Sequence, residues 1–231
     1  MFDVSFNVFD DARGGDPDYT SPTLRRYHKV LWSKPLPCGK SFILSDDKPG
    51  AYLYHQSELG EFFLGSDAIT HSYKHQKKKR WLTSQIPEVV QDLFDQGSTI
   101  GAYIIFPNRQ VNRKNTINQA RGVIRRIDDR FDLTLECIRR HYLNEPSPLS
   151  DTLMRYADFF KLFESFEEYV RFFLLEDLVD HHGRIRFWLP FDDFQTAPGF
   201  EGVEGYLVYK ERVCEFVKAR NRRITGYAET H

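Results

Sequence analysis

Arginines with polar neighbours are the side chains of this sequence best suited to chemistry. A guanidinium group offers donors in a planar fork that matches the oxygens of a phosphate or carboxylate, so arginine clusters are typical of anion-binding sites. The candidate ligand-binding residues are Arg25, Asn118, Arg121, Arg130, Arg140 and, in a predicted turn, Glu58. If they converge, the sequence predicts an arginine-rich pocket for a nucleotide or a nucleic-acid phosphate.

The segment TINQARG, 116–122, contains the most informative of these arginines. It follows the loop that leaves an apolar run, IGAYIIFP at 100–107, and in mixed sheets ligands commonly bind beyond the carboxyl ends of such strands. Arg121 and the glycine after it would offer a guanidinium group and backbone N–H groups to one anion. The alternative is a surface loop in which Arg121 pairs with Asp128 or Asp129.

Two residues, Glu136 and His28, are candidate proton-transfer groups. Glu136 lies four residues before Arg140, the spacing of a surface helix pair worth only ~0.3–0.5 kcal/mol, so the pattern also fits a purely stabilising ion pair. His28 follows Arg25 in RRYH and could exchange a proton near neutral pH. Because a histidine beside arginines is more often structural, both interpretations stay open.

Metal ligands form only weak patterns. His71 and His75 have the spacing of a helical zinc pair, but they lie in a lysine-rich run that repels cations. Adjacent aspartates could bind magnesium if two pairs converge, with turn formation and helix capping as the alternative. These pairs are Asp46-Asp47, Asp128-Asp129 and Asp192-Asp193. We predict no metal-binding residue, and the sequence leaves any cofactor unknown.

Charge is distributed unevenly along the chain. The formal net charge is −1, but residues 71–126 carry 11 basic and 3 acidic side chains, and 108–127 holds six Lys or Arg and no acid. Local clustering rather than net charge attracts phosphate, so this basic segment favours an anionic partner. The alternative is a solvated lysine loop, with the arginines at 121–126 paired to the acidic helices that follow.

Length and composition indicate a soluble globular protein. With 231 residues, 41% of them hydrophobic, the chain can bury one sizeable core, and we predict a single domain over 1–231. No apolar run approaches the roughly 20 residues of a membrane helix, and acids near the first residue argue against a signal peptide. Three separated cysteines form neither a disulfide framework nor a zinc site. We expect a cytoplasmic protein with no membrane partner, and the oligomeric state stays open.

The first half of the chain alternates turn formers with short apolar runs, which break up any long element and predict short strands. We expect a helix at 23–32, an antiparallel meander from 41–45, 51–55 and 61–65, a helix from Pro87 to about Gly97, and a central strand at 100–107 covered on both faces.

The second half has the apolar spacing of helices. Phe131, Leu135, Ile138 and Tyr142 share one helix face, and a capping box of Ser165 and Glu168 divides 151–180 into two helices. A strand at 184–191 and a closing helix at 202–224 complete the prediction. The fold class is therefore α+β, with a small antiparallel or mixed sheet packed against a mainly helical C-terminal half.

Four strings of the sequence resemble an uncharacterised bacterial family of single-domain proteins of about this length. They are SPTLRRYHKVLWSKPLPCGKSF, YLYHQSELGEFFLGSD, TINQARG and DRFDLTLECIRRHY. The resemblance runs over most of the chain and implies one folded unit. It implies no activity, cofactor or catalytic residue.

Three functional hypotheses follow from these patterns. The first is an enzyme or binding domain for an anionic small molecule or nucleic acid. The second is a non-enzymatic interaction module whose basic central segment docks an acidic protein, as an inhibitor or toxin partner would. The third is a magnesium-dependent enzyme that cleaves phosphodiesters. Convergence of Arg25, Arg121 and Glu136 in one concave pocket would favour the first.

Overall fold

A computed structural model describes residues 2–195 and 199–230, which form ten α-helices, five strands and short 3₁₀ turns. The helices are α1 (Pro17–Thr20), α2 (Pro22–Trp32), α3 (Arg80–Thr83), α4 (Pro87–Gln96), α5 (Ile117–Val123), α6 (Phe131–Tyr142), α7 (Ser150–Met154), α8 (Ala157–Lys161), α9 (Phe166–Phe172) and α10 (Gly202–Thr230). The strands are β1 (Lys34–Pro35), β2 (Ser41–Phe42), β3 (Leu53–Ser57), β4 (Gly60–Ala68) and β5 (Tyr103–Pro107).

Two antiparallel sheets lie in the first half of the chain. β1 pairs with β2, and the larger sheet has the order β3-β4-β5, with Leu53 opposite Leu64 and Leu64 opposite Pro107. The β3–β4 hairpin confirms two members of the predicted meander. The third, 41–45, pairs mainly with β1, and its last residue only bridges Tyr54.

The apolar run 100–107 is a strand from Tyr103 onward, and its position in the sheet differs from the prediction. β5 is an edge strand, although all five of its residues are buried. Helices supply that burial: α5 packs on β5, and Arg220 of α10 donates to the carbonyl groups of Gly101 and Tyr103. A run that is apolar throughout therefore indicates a strand that is buried on both faces. It does not indicate whether neighbouring strands or helices bury it.

Local sequence signals explain most helix starts. Ser21 accepts a hydrogen bond from the backbone N–H of Leu24 at the start of α2, and Pro22 occupies the first helical position. Thr116 and Gln119 form a reciprocal capping box on α5, and Pro87 begins α4 as predicted. The predicted face of α6 is confirmed, since Phe131, Leu135 and Ile138 are buried and Tyr142 is partly buried.

The region 150–178 differs from the prediction of two helices. It contains α7, α8, α9 and a 3₁₀ turn, with the left-handed residues Glu164 and Leu174 on either side of α9. Ser165 caps α9 through the N–H of Glu168, as the capping signal indicates. The phenylalanines of this region pack into the core, where Phe163 lies 5.3 Å from Tyr169.

The predicted strand at 184–191 does not form. A turn held by Asp180, which accepts from the backbone N–H of Arg184, leaves only an isolated bridge between Val179 and Ile185. α10 then extends over 29 residues, past the predicted end at 224, and packs against α4 and the 3₁₀ turns.

The buried hydrophobic side chains of the two halves form one cluster. Phe42 of β2 contacts Phe172 of α9, and Trp32 of α2 contacts Phe173. The protein is therefore α+β, with a small antiparallel sheet packed against a helical C-terminal half. None of the described helices is long and apolar enough to cross a membrane.

Candidate functional site

Arg121, the arginine of TINQARG, is buried among acceptors of the protein itself. Its guanidinium Nη1 donates to Asp67 Oδ2 and to the carbonyl oxygen of Ala68, both at 2.8 Å, and Nη2 donates to the carbonyl oxygen of Asp129. Its side chain is 1% exposed. The structure thus gives Arg121 a partner in Asp129, the alternative that the sequence left open, and adds Asp67 from β4.

A second carboxyl group lies against this buried pair. Asp18 of α1 accepts a hydrogen bond from Ser66 Oγ at 2.5 Å. Burial, followed by the neighbouring charge of Asp67, raises the pKa of Asp18 to about 7. Burial also raises the pKa of Asp67 to about 6, although Arg121 beside it acts in the opposite direction. Asp18 lines a cleft of about 300 Å³ together with His71, and burial lowers the pKa of that histidine.

Arg130 and Glu136 also hold partners within the fold. Arg130 binds Asp132 through Nε and Nη2, and Asp132 in turn accepts from the backbone N–H of Trp188. The Glu136 carboxylate accepts from Arg139 and Arg140, each at 2.8 Å, and its side chain is 5% exposed. Glu136 is therefore mostly buried under two half-exposed guanidinium groups rather than paired on an open helix surface.

Arg25 and His28 lie three residues apart on one face of α2, and both contact Tyr52. His28 is completely buried, with Nδ1 3.2 Å from the Tyr52 hydroxyl, and burial with the charge of Arg220 lowers its pKa to about 3. Arg25 donates to the carbonyl oxygens of Tyr52, Asp46 and Ala51, so it fastens the loop before β3.

The last two predicted residues lie near the surface. Glu58 is exposed in the β3–β4 turn, 3.4 Å from Lys40, and Asn118 is half-buried in the first turn of α5. The predicted arginines are thus distributed over separate intramolecular contacts. As ligand-binding or catalytic residues all eight stay predictions, and the structure supplies protein partners for each of the four guanidinium groups.

The two halves of the basic segment 71–126 meet at one buried aspartate. Lys78 and Lys79 contact the Asp128 carboxylate at 2.5 and 3.0 Å. Asp128 closes a tight turn whose middle residues, Arg125 and Arg126, are exposed. Lysines and arginines that are about 50 residues apart in sequence therefore share one surface, which we call the basic patch; it comprises 77–80 and 125–126.

A groove of about 680 Å³ lies between α10 and the segment 177–188. Arg212, Lys218 and Arg222 reach it from α10, and Arg186 reaches it from the opposite segment. It also contains Asp177 and Glu215, but Asp177 is engaged by Arg223 through two contacts of 3.0 Å. Within the described residues, four cations and one unengaged carboxylate line the groove and make it electropositive.

Two of these guanidinium groups are not engaged by the protein. Arg212 donates to the carbonyl oxygens of Phe187 and Trp188 and so joins the two walls. The side chains of Arg186 and Arg222 are exposed and have no hydrogen bond or ion pair within the described residues. Their five donors each are available to a bound molecule.

Aromatic side chains form the apolar part of the groove. Phe187, Trp188 and Phe216 line it, and the half-buried Phe187 packs on Phe191 with ring centroids 4.5 Å apart. The indole Nε1 of Trp188 is buried and has no hydrogen-bond partner among the described groups. The groove therefore combines the partly exposed ring of Phe187 with the guanidinium donors of Arg186 and Arg222.

Reasoning from sequence missed this groove, although a signal was present. Arg212, Glu215, Ala219 and Arg222 recur at intervals of three or four residues, so they share one face of α10. The opposite wall gave no signal, because 184–191 was predicted to be a strand. Among the described residues, no group of three or more His, Cys, Asp or Glu side chains lies close enough to hold a metal ion.

The architecture and the groove define an α+β protein with an electropositive cavity against its longest helix. The chain belongs to a family of unknown function (DUF6994), whose model matches residues 2–224. This match confirms the resemblance to an uncharacterised family. No curated protein and no solved structure matches the chain.

Proposed function

We propose that this protein binds a phosphate-bearing ligand of the nucleotide class in the groove between α10 and 177–188. The observation that carries the proposal is the pair of exposed guanidinium groups, Arg186 and Arg222, on two walls of one groove, neither of which has an acceptor in the described part of the chain. Two such forks can bind phosphate oxygens bidentately. This keeps the arginine-rich pocket of the sequence analysis and assigns it to different arginines.

The rest of the groove suits the other parts of a nucleotide. Its volume of about 680 Å³ falls within the roughly 300–1,000 Å³ of ligand cavities. Phe187 offers a partly exposed ring on which a base can stack, an interaction worth roughly 1–3 kcal/mol per base in nucleic-acid-binding proteins.

Isothermal titration of the full chain with AMP, ADP, ATP and inorganic phosphate tests the proposal. The variant R186A/R222A removes two charges from the groove, and the matched control R125A/R126A removes two charges from the basic patch. We expect the groove variant to bind at least tenfold more weakly, because each charge-assisted contact contributes about 1.5–3 kcal/mol, and the control to bind within about threefold of the wild type. Equal weakening in both variants, or no nucleotide binding by the wild type at millimolar concentration, would overturn the proposal.

A second candidate function is docking of an acidic protein on the basic patch, as an interaction module. The contacts of Lys78 and Lys79 with Asp128, beside the turn that exposes Arg125 and Arg126, support it. Poly-glutamate is a suitable probe, and the same two variants exchange roles: R125A/R126A should weaken its binding, while R186A/R222A should not. Binding that does not fall with rising salt would contradict this second candidate. The magnesium-dependent alternative has no ligand set in the described part of the chain.

A further inference from the structure

Lys34 places an amino group among three aromatic rings, at a site distinct from the groove. It lies in β1, and its Nζ is 4.6 Å from the ring centroids of Phe172 and Tyr227 and 5.1 Å from that of Trp32. The rings come from α9, α10 and α2. Three helices thus shield the half-buried Lys34 side chain from part of the bulk water.

No carboxylate neutralises this amino group directly. Within the described residues, Nζ has no salt-bridge partner and no hydrogen-bond acceptor. Glu176 attracts the charged form, Arg220 repels it, and burial outweighs both, so the pKa of Lys34 is lowered to about 7. An uncharged Lys34 amino group is therefore far more accessible at neutral pH than the uncharged form of an ordinary lysine.

The amino group also has a cavity beside it. Lys34 lines a space of about 350 Å³ with Pro35, Pro37 and, from α9, Glu168 and Arg171. The Arg171 guanidinium is engaged by Glu167 and Glu168, so it contributes little net charge to the wall. The volume is that of a small organic ligand rather than of a macromolecule.

We propose that Lys34 binds a small aldehyde or ketone covalently in this cavity. The lone pair of the uncharged Nζ attacks the carbonyl carbon and forms a C–N bond. The carbonyl oxygen then leaves as water with both hydrogens of the amino group, which leaves an imine. The step needs no oxidant or reductant, and a lysine desolvated in an apolar pocket is a common way to activate such a nucleophile.

The three rings also oppose this reaction, because a cation over an aromatic face is stabilised by roughly 0.5–2 kcal/mol. The charged groups that face Lys34 are Glu168 and Arg171 of α9, Glu176 of the 3₁₀ turn and Arg220 of α10. Two are acidic and two are basic. Desolvation is therefore the influence that sets the reactivity of the amine.

The test compares two lysines of the same hairpin within one sample. The full chain is incubated with propanal and sodium cyanoborohydride at pH 7, and modified peptides are quantified by mass spectrometry. Lys40, whose side chain is 50% exposed, serves as the internal control. We expect Lys34 to be modified at least tenfold faster than Lys40, with a rate that saturates as propanal is increased because the aldehyde first binds in the cavity.

Equal rates at Lys34 and Lys40, or a Lys34 rate that stays linear in propanal, would overturn the proposal. The variant K34R keeps the positive charge among the rings and should lose the saturable modification while nucleotide binding in the groove is unchanged. If K34R does not fold, the modification rates of Lys34 and Lys40 in the wild-type chain still test the proposal. The proposal is independent of the groove, so either can fail alone.

Discussion

The arginines that the sequence singled out and the arginines of the groove have the same chemistry in opposite surroundings. Arg121 and Arg130 are buried and bind carboxylates and carbonyl groups of their own chain. Arg186 and Arg222 are exposed on the walls of a cavity and bind nothing within the described residues. An arginine is available to a ligand when the fold leaves its donors unused, and local sequence does not report this.

Among these substitutions, removal of a buried arginine should lower the stability of the fold the most. Arg121→Ala leaves Asp67 without its counter-ion and the carbonyl groups of Ala68 and Asp129 without a donor. Loss of one partner of a buried ion pair typically costs about 3–5 kcal/mol, so we expect the melting temperature to fall by roughly 10 °C. Thermal and urea unfolding of R121A and the wild type measure this loss of stability.

A double-mutant cycle sharpens this prediction. R121A combined with D67N removes both charges, so the double variant should be more stable than R121A alone. A melting temperature of R121A close to that of the wild type, together with lost nucleotide binding, would instead assign Arg121 to a ligand site. The contrast between buried structural arginines and ligand-binding arginines in the groove would then be wrong.

Substitution of Asp18 should change the stability of the fold by an intermediate amount that depends on pH. Because its pKa is raised from 3.8 to about 7, the native state holds this proton more tightly than the unfolded chain. This contribution to stability is present at low pH and is lost as the pH rises through 7. Asp18→Asn keeps the oxygen that accepts from Ser66 and cannot ionise, so it should match the wild type near pH 4 and exceed it above pH 7.

At pH 8 the free energy of unfolding of D18N should exceed that of the wild type by about 2 kcal/mol. A tenfold change in proton affinity corresponds to about 1.4 kcal/mol, and residual solvent contact of Asp18 reduces the roughly thousandfold change that its pKa implies. Melting curves of D18N and wild type between pH 4 and 8 provide the measurement. Asp47→Asn, an exposed aspartate substitution, is the control. Parallel curves for D18N and wild type would mean that Asp18 titrates as an ordinary carboxyl group.

The groove variants should have the smallest effect on stability. R186A and R222A remove exposed side chains that have no partner among the residues that the structure describes. Such substitutions usually change the free energy of unfolding by less than about 0.5 kcal/mol. Unfolding in urea measures the free energy of unfolding of these variants, and R121A in the same series provides the large loss with which they are compared. A loss above about 1.5 kcal/mol for either variant would show an intramolecular role and remove the contrast between the two sets of arginines.

Much of the fold was accessible from local pattern. The helix starts at Pro22, Pro87 and Ser165 follow from caps and prolines, because these signals act within one turn of the chain. The strand at 184–191 was predicted wrongly, because its alternating apolar residues fit burial beside α10 as well as they fit a sheet. The edge position of β5 was likewise beyond local pattern, since helices and strands bury a residue equally well.

The candidate site was less accessible. Arg186 and Arg222 are 36 positions apart and share a groove only because α10 packs beside the turn at 176–178. Lys34 resembles any lysine in the sequence until helices α2, α9 and α10 enclose it. The single domain over 1–231 and the roles of the eight predicted residues stay predictions that experiments on the whole chain can test.

The sequence by itself determined the α+β class, the helix caps, the aromatic core of the C-terminal half and the basic character of 71–126, because composition, periodicity and capping are properties of neighbouring residues. Tertiary structure alone decided which charges are neutralised, which pKa values move and which cavities open. Burial and ion pairing depend on the distance between groups far apart in the chain, and folding sets that distance.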